Sequence, residues 1–468
     1  MAPGLCNICA SPLGQPVYRS ANNASITTMN KIIPGRTEVF FCGACGHLQT
    51  TELPNLDAYY ATEYEINLAS EDDDQLYKVI DGRPVYRAEH QANVLLRKLH
   101  FGAGHRVLDY GCAKAGTLRK VATAHTDIVP YAFDVTDKYV PAWQRFIAAG
   151  HWATHRVPAV WDATIDIVLS FYALEHVRDP RDLLRTVRRV LKPGGTFYFV
   201  VPDTYANVAD FVVADHINHF SESSLRIMLE LAGFEATEVD TKSHDAAFVV
   251  VARKRAQPAT TPGERAPVDT LRSQTAAMAA FWGDAATRVR AFEAALPPTA
   301  RCAIYGAGFY GNFVASALKE PGRIECFIDQ NTHLQGREIL GKPIVAPATL
   351  DPAINTVFVG LNPRDARAIV SDISACNLLV GIHLLHRRLL VKEKWRWAIQ
   401  DFALPLATAL SIGAIARAFF PPGLGAAATV AALAGVGVLI ALACAMIAPA
   451  IRGYTFNAAV RLSAVLKS

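Results

Sequence analysis

The chain has little net charge: 46 lysines and arginines stand against 42 acids in 468 residues. That balance argues against a nucleic-acid-binding surface spread over the whole molecule. Cysteine is scarce as well, nine in all, too few for a disulfide scaffold. The opening stretch Met1-Ala2-Pro3-Gly4-Leu5-Cys6 lacks a basic segment followed by an apolar core. This predicts no signal peptide and places the soluble part in a reducing cytoplasm. The length suits about three domains.

What is present begins with the cysteines. Cys6-Asn7-Ile8-Cys9 and Cys42-Gly43-Ala44-Cys45 are two CxxC knuckles, and two knuckles complete a tetrahedral four-thiolate site with no open position for chemistry. A redox reading needs only one CxxC in a thioredoxin-like βαβ context, and that context is missing, so the spacing predicts structural zinc. His47, close behind, reads as solvent-facing, with a substitute ligand as the alternative. The other five cysteines (Cys112, Cys302, Cys326, Cys376 and Cys444) sit singly in apolar settings and read as core. From Asp57 a tyrosine cluster, Tyr59, Tyr60 and Tyr64, leads into the acidic run Glu71 to Asp74. It reads either as a lid or substrate wall, or as an aromatic hinge. Helical spacing at Ala92, Leu95, Leu96 and Leu99 follows.

The central stretch is Arg106-Val107-Leu108-Asp109-Tyr110-Gly111-Cys112-Ala113-Lys114-Ala115-Gly116. An apolar run breaks at a glycine turn before helical spacing at Leu118, Val121 and Ala122, which predicts a parallel strand, a ligand-binding turn and a helix. Val129 to Phe133 reads as a second strand ending in Asp134, an acid placed to accept hydrogen bonds from ribose hydroxyls. Ile165 to Ser170 reads as a strand running into Phe171-Tyr172-Ala173-Leu174-Glu175-His176-Val177. A basic amphipathic helix from Pro180 to Leu191, the turn Lys192-Pro193-Gly194-Gly195 and a strand from Thr196 to Val201 follow.

This order, with its LEHV-type and LKPGG-type turns, resembles the class I S-adenosylmethionine-dependent methyltransferases over roughly Arg87 to Arg253. The resemblance implies an α/β, Rossmann-like core in which Asp109, Gly111 and Cys112 line the methionine end of the cofactor. Asp134 would hold the ribose, and Ser170, Phe171 and Tyr172 would flank the sulfonium. Ala113 departs from the pattern, since these enzymes usually carry another glycine there.

A sulfonium methyl is already activated, so the remaining task is to position an acceptor and remove its proton. Histidine is the natural base. His176 lies at the carboxyl edge of the predicted sheet, where it reads either as catalytic or as orienting its loop. His216 gains from neighbouring Asp215. His219 reads as capping or packing the helix that Ser221 opens, and His244-Asp245 precedes the last strand.

A four-cysteine module, a methyltransferase core and a C-terminal Rossmann-like domain, in this order, look like the zinc-binding deoxysugar C-methyltransferases that act on nucleotide-linked keto-sugars. In that family an acid-histidine pair after the fifth strand and a histidine after the fourth form the base cluster, which Asp215-His216 and His176 match. The family's tyrosine just before the pair is missing, with Val213 and Ala214 in its neighbourhood, and its HGGS-like turn is here His244-Asp245-Ala246-Ala247.

Pro258 to Pro267 reads as a linker. A helix with apolar residues at Phe281, Val289, Phe292 and Leu296 follows, then Ala303-Ile304-Tyr305-Gly306-Ala307-Gly308-Phe309-Tyr310-Gly311, a strand running into GxGxxG, with Asp329 closing the next strand. No dehydrogenase constellation follows, so this second Rossmann unit reads as packing or as holding a substrate's nucleotide. The similarity to the sugar methyltransferases extends to about Asn362.

Past Lys394 the composition changes. Phe402 to Phe420 and Gly425 to Ile451 are apolar runs of about 28 Å and about 40 Å if helical, against a hydrocarbon core of about 30 Å. Arg387, Arg388, Lys392, Lys394 and Arg396 precede them and Arg452, Arg461 and Lys467 follow. The positive-inside rule makes this a transmembrane hairpin with both ends cytoplasmic, Trp395 and Trp397 at the interface and Arg417 snorkelling outward. A buried soluble hairpin is the alternative.

The expected organisation is a four-cysteine zinc module over 1–56, a methyltransferase domain over 57–255, a linker over 256–268, a Rossmann-like domain over 269–386 and the membrane hairpin over 387–468. The expected function is methyl transfer from S-adenosylmethionine to a nucleotide-linked or lipid-linked sugar, at carbon next to a ketone. The alternatives are oxygen methylation of a glycan or small metabolite, and a non-catalytic membrane-tethered scaffold. Expected partners are a sugar or glycan acceptor, the membrane and a glycan-assembly machine, without nucleic acid.

Overall fold

The computed structural model describes residues 4–53, 74–80, 83–257 and 268–369, with the short helical pieces 407–409, 411–412 and 436. The tyrosine cluster, the Pro258 to Pro267 linker and nearly all of the two apolar C-terminal runs lie outside these residues. Among the described residues no helix is long and apolar enough to cross a membrane. Residues 1–354 and 358–362 make one compact unit, and residues 355–357 and 363–468 make another.

The N-terminal strands are short, as turn-rich sequence dictates: β1 (Tyr18–Arg19), β2 (Ala24–Ile26), β3 (Ile32–Pro34), β4 (Glu38–Phe41) and β5 (Leu48–Thr50). β2 and β3 form a hairpin, and β1, β4 and β5 form a sheet. A second hairpin, β6 (Leu76–Ile80) and β7 (Arg83–Tyr86), leads into the helix Arg87–Lys98. Both carboxylate oxygens of Asp74, the end of the acidic run, accept from Ala88 N at the start of that helix, at 2.9 and 3.1 Å. This cap satisfies one of the helix's free amides and complements its dipole.

The core is a seven-stranded sheet built from β8 (Arg106–Tyr110), β9 (Val129–Asp134), β10 (Trp152–Thr154), β11 (Ile165–Phe171), β12 (Leu191–Pro202), β14 (Phe234–Asp240) and β15 (Ala247–Lys254), in the order β10-β9-β8-β11-β12-β15-β14. Strands β8 to β12 run parallel, while β15 pairs antiparallel with both β12 and β14. The two-residue alternation of a strand sends Leu108, Phe197, Phe199 and Val201 to one face and Val107, Tyr198 and Val200 to the other. Helices Pro180–Val190 and Glu222–Leu231 cover the first face, and Arg87–Lys98 and Gly116–Ala124 cover the second. Asp179 caps the first of these with Pro180 behind it, and Ser221, the cap expected from the sequence, forms a capping box with Ser224 on the second. The expected turn at Lys192-Pro193-Gly194-Gly195 is absorbed into β12 as an irregularity between the Leu191 and Thr196 pairings.

One strand of the N-terminal sheet comes from far along the chain. β13 (Asn218–His219) pairs antiparallel with β5, Asn218 opposite Gln49 and His219 opposite Leu48. The segment after β12 is therefore held by the cysteine module. The helix Asp269–Ala294 buries Trp282 against Val39, Phe41, Leu48 and Phe211, and Trp282 Nε1 donates to Val208 O at 2.9 Å. Phe281, expected in the apolar stripe, is instead 40% exposed, because one residue further round the helix faces the core. Beyond it, β16 (Cys302–Tyr305) and β17 (Ile324–Ile328) pair in parallel, and β17 pairs with β19 (Lys342–Val345), which carries β18 (Glu338–Ile339) antiparallel on its other edge. A Cβ at Gly311 would lie 1.8 Å from Gly306 O, so this GxGxxG packs the helix Phe309–Ala317 against the turn as only glycine allows.

Candidate active site

A cavity of about 1240 Å³ opens at the carboxyl edge of β8, β9, β11 and β12, larger than the roughly 300–1,000 Å³ typical of a single small ligand. One end is built on the β8 turn. Gly111 has φ 72°, and a Cβ there would meet Ala173 Cβ at 2.9 Å. Gly111 N and Cys112 N donate to Phe133 O at 2.8 and 3.2 Å. Ala113 and Ala115 sit at φ 43° and 53°, a left-handed backbone that costs an L-residue and explains why glycine is the usual choice near Ala113. The loop is braced by Trp143 Nε1 donating to Ala113 O at 2.7 Å.

Asp134 closes this end. Its Oδ2 accepts from Ala113 N at 2.8 Å, and burial raises its pKa. Asp109 is 2% exposed with Oδ1 lacking a hydrogen-bond partner, and burial, helped by the charge of Asp134, pushes its pKa up to about 8. Asp109, Gly111, Cys112, Asp134, Phe171 and Tyr172 all line the cavity. Ser170 does not: it is buried, and its hydroxyl donates to Tyr110 O at 2.9 Å, so it braces β8 against β11 where the sequence placed it beside the sulfonium. Tyr172 is held at φ 53°, a strained conformation for an aromatic residue, with its hydroxyl 3.1 Å from His244 Nδ1 and the Arg87 guanidinium 4.0 Å from its ring.

The other end gathers the histidines. His176 Nδ1 donates to Asp215 O at 2.9 Å, and His216 Nδ1 lies 2.5 Å from Asp210 Oδ1. The acid hydrogen-bonded to His216 is thus Asp210, six residues earlier and marked by no motif, and not Asp215. The Asp215 carboxylate accepts from Thr28 N and Thr28 Oγ1 at 2.8 and 2.5 Å. Sequence neighbours Asp215 and His216 turn their side chains to different partners. Asp210 also takes His219 Nδ1 at 2.9 Å and the Thr204 hydroxyl. His219 is buried, its Nε2 2.7 Å from Thr50 Oγ1. His47, expected in solvent, is fully buried against Phe220 with Nε2 3.2 Å from Asn218 Oδ1, and burial lowers its pKa to about 3. Val213 and Ala214, standing near the missing tyrosine, stitch this segment to the β2 edge, where Ala214 N donates to Ile26 O at 2.8 Å.

The electrostatics separate these groups. Burial opposes charge on His216, but Asp210 overrides it and the imidazole pKa rises to about 9. Burial likewise opposes charge on Asp210, yet its two histidines hold it well below the usual carboxylate range. Burial and the charge of His216 bring His176 down to about 4. Glu175 is 1% exposed with neither carboxylate oxygen hydrogen-bonded, and burial pushes its pKa up to about 7 against the pull of His216. Sequence reading named it only as part of a turn. Thr28 and Asn30, from the β2–β3 turn, and Phe309 also line the cavity.

The four thiols converge elsewhere. Cys6 Sγ and Cys45 Sγ are 3.6 Å apart, Cys9 Sγ and Cys42 Sγ 3.5 Å, and all four lie within 4.8 Å of one another. Thiolates held at about 2.3 Å around a tetrahedral ion stand about 3.8 Å apart, close to both of these separations. Beside the GxGxxG turn, the Asp329 carboxylate is taken by Ala307 N and Asn331 N, both at 2.8 Å.

Residues 86–239 match the family model of a methyltransferase domain. A Mycolicibacterium smegmatis protein named "Probable S-adenosylmethionine-dependent methyltransferase" is 28% identical over 149 residues, 31% of this chain. The chain spans 58% of that relative's length. S-adenosylmethionine-dependent methyltransferase structures from Aquifex aeolicus and Mesorhizobium loti align at TM-scores of 0.30 and 0.29, with 19% and 18% identity. Each covers 35% of this chain, and 88% and 98% of its own. The family match places a methyltransferase domain over residues 86–239.

Proposed function

We propose that the protein transfers the methyl group of S-adenosylmethionine to a sugar, nucleotide-linked or lipid-linked. The observation that carries this is a single cavity with the Gly111 turn, Asp109 and Asp134 at one end and His176, His216 and Glu175 at the other. Asp109 would face the ammonium or sulfonium charge and Asp134 the ribose hydroxyls. The acceptor attacks the methyl carbon as the carbon–sulfur bond breaks, and its proton passes to neutral His176, whose Nδ1 is fixed on Asp215 O. The sugar rests on the order of the modules, and the Phe309 wall supports it by giving the second Rossmann unit a share of the cavity. Oxygen methylation is the second reading, favoured by one observation: Val213 and Ala214 are committed to the module edge and supply no tyrosine for an enolate. In this reading structural zinc holds the four thiols. The apolar C-terminal runs with their basic flanks tether the enzyme to the cytoplasmic face of a membrane, beside the glycan-assembly machine that uses its product.

Calorimetry of S-adenosylmethionine binding to the full chain tests the cofactor. Micromolar affinity is expected, and Asp134→Ala should weaken it by about 1–3 kcal/mol through lost hydrogen bonds to a charged carboxylate. Folded protein that binds nothing would remove the catalytic reading.

The same titration across pH has a defined sign. Asp109 is protonated below about 8 in the ligand-free chain, and a cationic ligand favours its ionised form. Affinity should therefore rise with pH toward about 8 and level off above it, by at most about tenfold per unit. Asp109→Asn should flatten this profile. An equal slope in that variant would assign the titration to another group.

A further inference from the structure

We infer that Glu175, His176 and His216 form a binding site for a first-row divalent cation at the acceptor end of the cavity, presented to an oxygen of the acceptor. The site's use rests on the methyl-acceptor reading, although the cation site itself does not.

One ligand atom from each of the three residues lies within 4.8 Å of the others, and all three residues line the cavity. Glu175 supplies the independent sign. Both its carboxylate oxygens are buried and without a hydrogen-bond partner, on a side chain 1% exposed. A carboxylate removed from water needs a donor or a cation. Among the described residues no hydrogen bond reaches either oxygen, and the cavity is where a cation would arrive.

The surroundings have the form that metal-binding histidines require. Such a histidine gives its other ring N–H to a carbonyl or carboxylate, which fixes the tautomer and the ring orientation. His176 Nδ1 donates to Asp215 O at 2.9 Å, and His216 Nδ1 faces Asp210 Oδ1 at 2.5 Å. Asp210 is itself held by His219 and Thr204. The alternative grouping of Asp210, His216 and His219 also clusters, but its members meet at hydrogen-bond distances and His219 is engaged on its far side by Thr50, so it serves as the support and not the site. Two imidazoles and one carboxylate from two chain segments leave coordination positions open toward the cavity, as in sites where a substrate binds the ion directly. The four-cysteine group has no such opening, and its soft thiolates select differently.

Co2+ titrated into the zinc-loaded full chain is the probe, followed by visible absorption and by metal content. One cobalt per chain is expected beyond the zinc, with the weak bands of nitrogen and oxygen ligation and no thiolate-to-cobalt charge transfer. Glu175→Gln keeps the shape, removes the charge and should weaken Co2+ by at least about tenfold, and Asp210→Asn by about 10- to 100-fold. Circular dichroism identifies any variant that has not folded. No Co2+ uptake at millimolar concentration by folded wild type, uptake with thiolate bands only, or equal uptake by folded Glu175→Gln overturns the site. S-adenosylmethionine binding measured on the same samples keeps the two readings apart. Cofactor binding without Co2+ removes the cation site alone, and Co2+ binding without cofactor removes the methyltransferase reading alone.

Discussion

Replacing His216 by alanine is expected to lower kcat for the proposed methyl transfer by about 10²- to 10⁴-fold, the usual span for disrupting an acid–base cluster. The side chain reaches the cavity while its Nδ1 is fixed on Asp210, so its orientation is set before an acceptor arrives. S-adenosylmethionine affinity should stay at the wild-type value, because Asp109, Gly111 and Asp134 are untouched at the far end. Truncation also deprives the buried Asp210 of one of its donors, costing about 1–3 kcal/mol of stability, so thermal unfolding has to accompany the kinetics. A variant that is folded, binds cofactor and turns over at the wild-type rate would move the chemistry away from this cluster.

The second large effect comes from the cysteines. With zinc on the four thiols as proposed, removing it with a chelator, or making Cys42→Ser, should unfold the N-terminal module, since structural zinc in small sites contributes on the order of 10 kcal/mol or more. The damage should not stay there. β13 is a strand of that module's sheet, Asn7 Nδ2 donates to Asn218 Oδ1 at 3.0 Å, and Thr28 holds Asp215. His216 lies between those anchors. Amide exchange over residues 215–219 should therefore quicken together with that of residues 38–50, and kcat should collapse while cofactor binding persists. Exchange at 215–219 that is unaffected by the loss of metal would show that this segment stands without the module.

The sequence was most informative where one short stretch holds a complete physical rule. The break from Val107-Leu108 into Gly111, the acid at Asp134, the CxxC pairs and the Ser221 cap are local, and the structure has a turn after β8, Asp134 at the end of β9, four thiols close together and Ser221 at its helix start. Contacts across long separations were not legible. No periodicity announces that Asn218 pairs with Gln49, or that Asp210, on a short 3-10 turn, reaches His216 while adjacent Asp215 turns to Thr28. His47 and Phe281 failed for the same reason: tertiary packing decides which side of a short element is buried. Ser170 reads as a cofactor residue from its position at a strand end, and what the strand end does not announce is that its hydroxyl donates to Tyr110 O on the neighbouring strand.

The β5–β13 pairing also bears on how the chain is made. Residue 50 leaves the ribosome long before residue 218, and at about 5–20 residues per second the interval is roughly ten to thirty seconds. During that interval β5 offers its outer edge with Leu48 and Gln49 uncovered, a template for any passing strand. The N-terminal module therefore cannot finish first, although it is synthesised first. Its last strand arrives only after the central sheet has been laid down through β12, which makes its completion a late event in biogenesis and its open edge the place where a nascent chain is most exposed to mispairing.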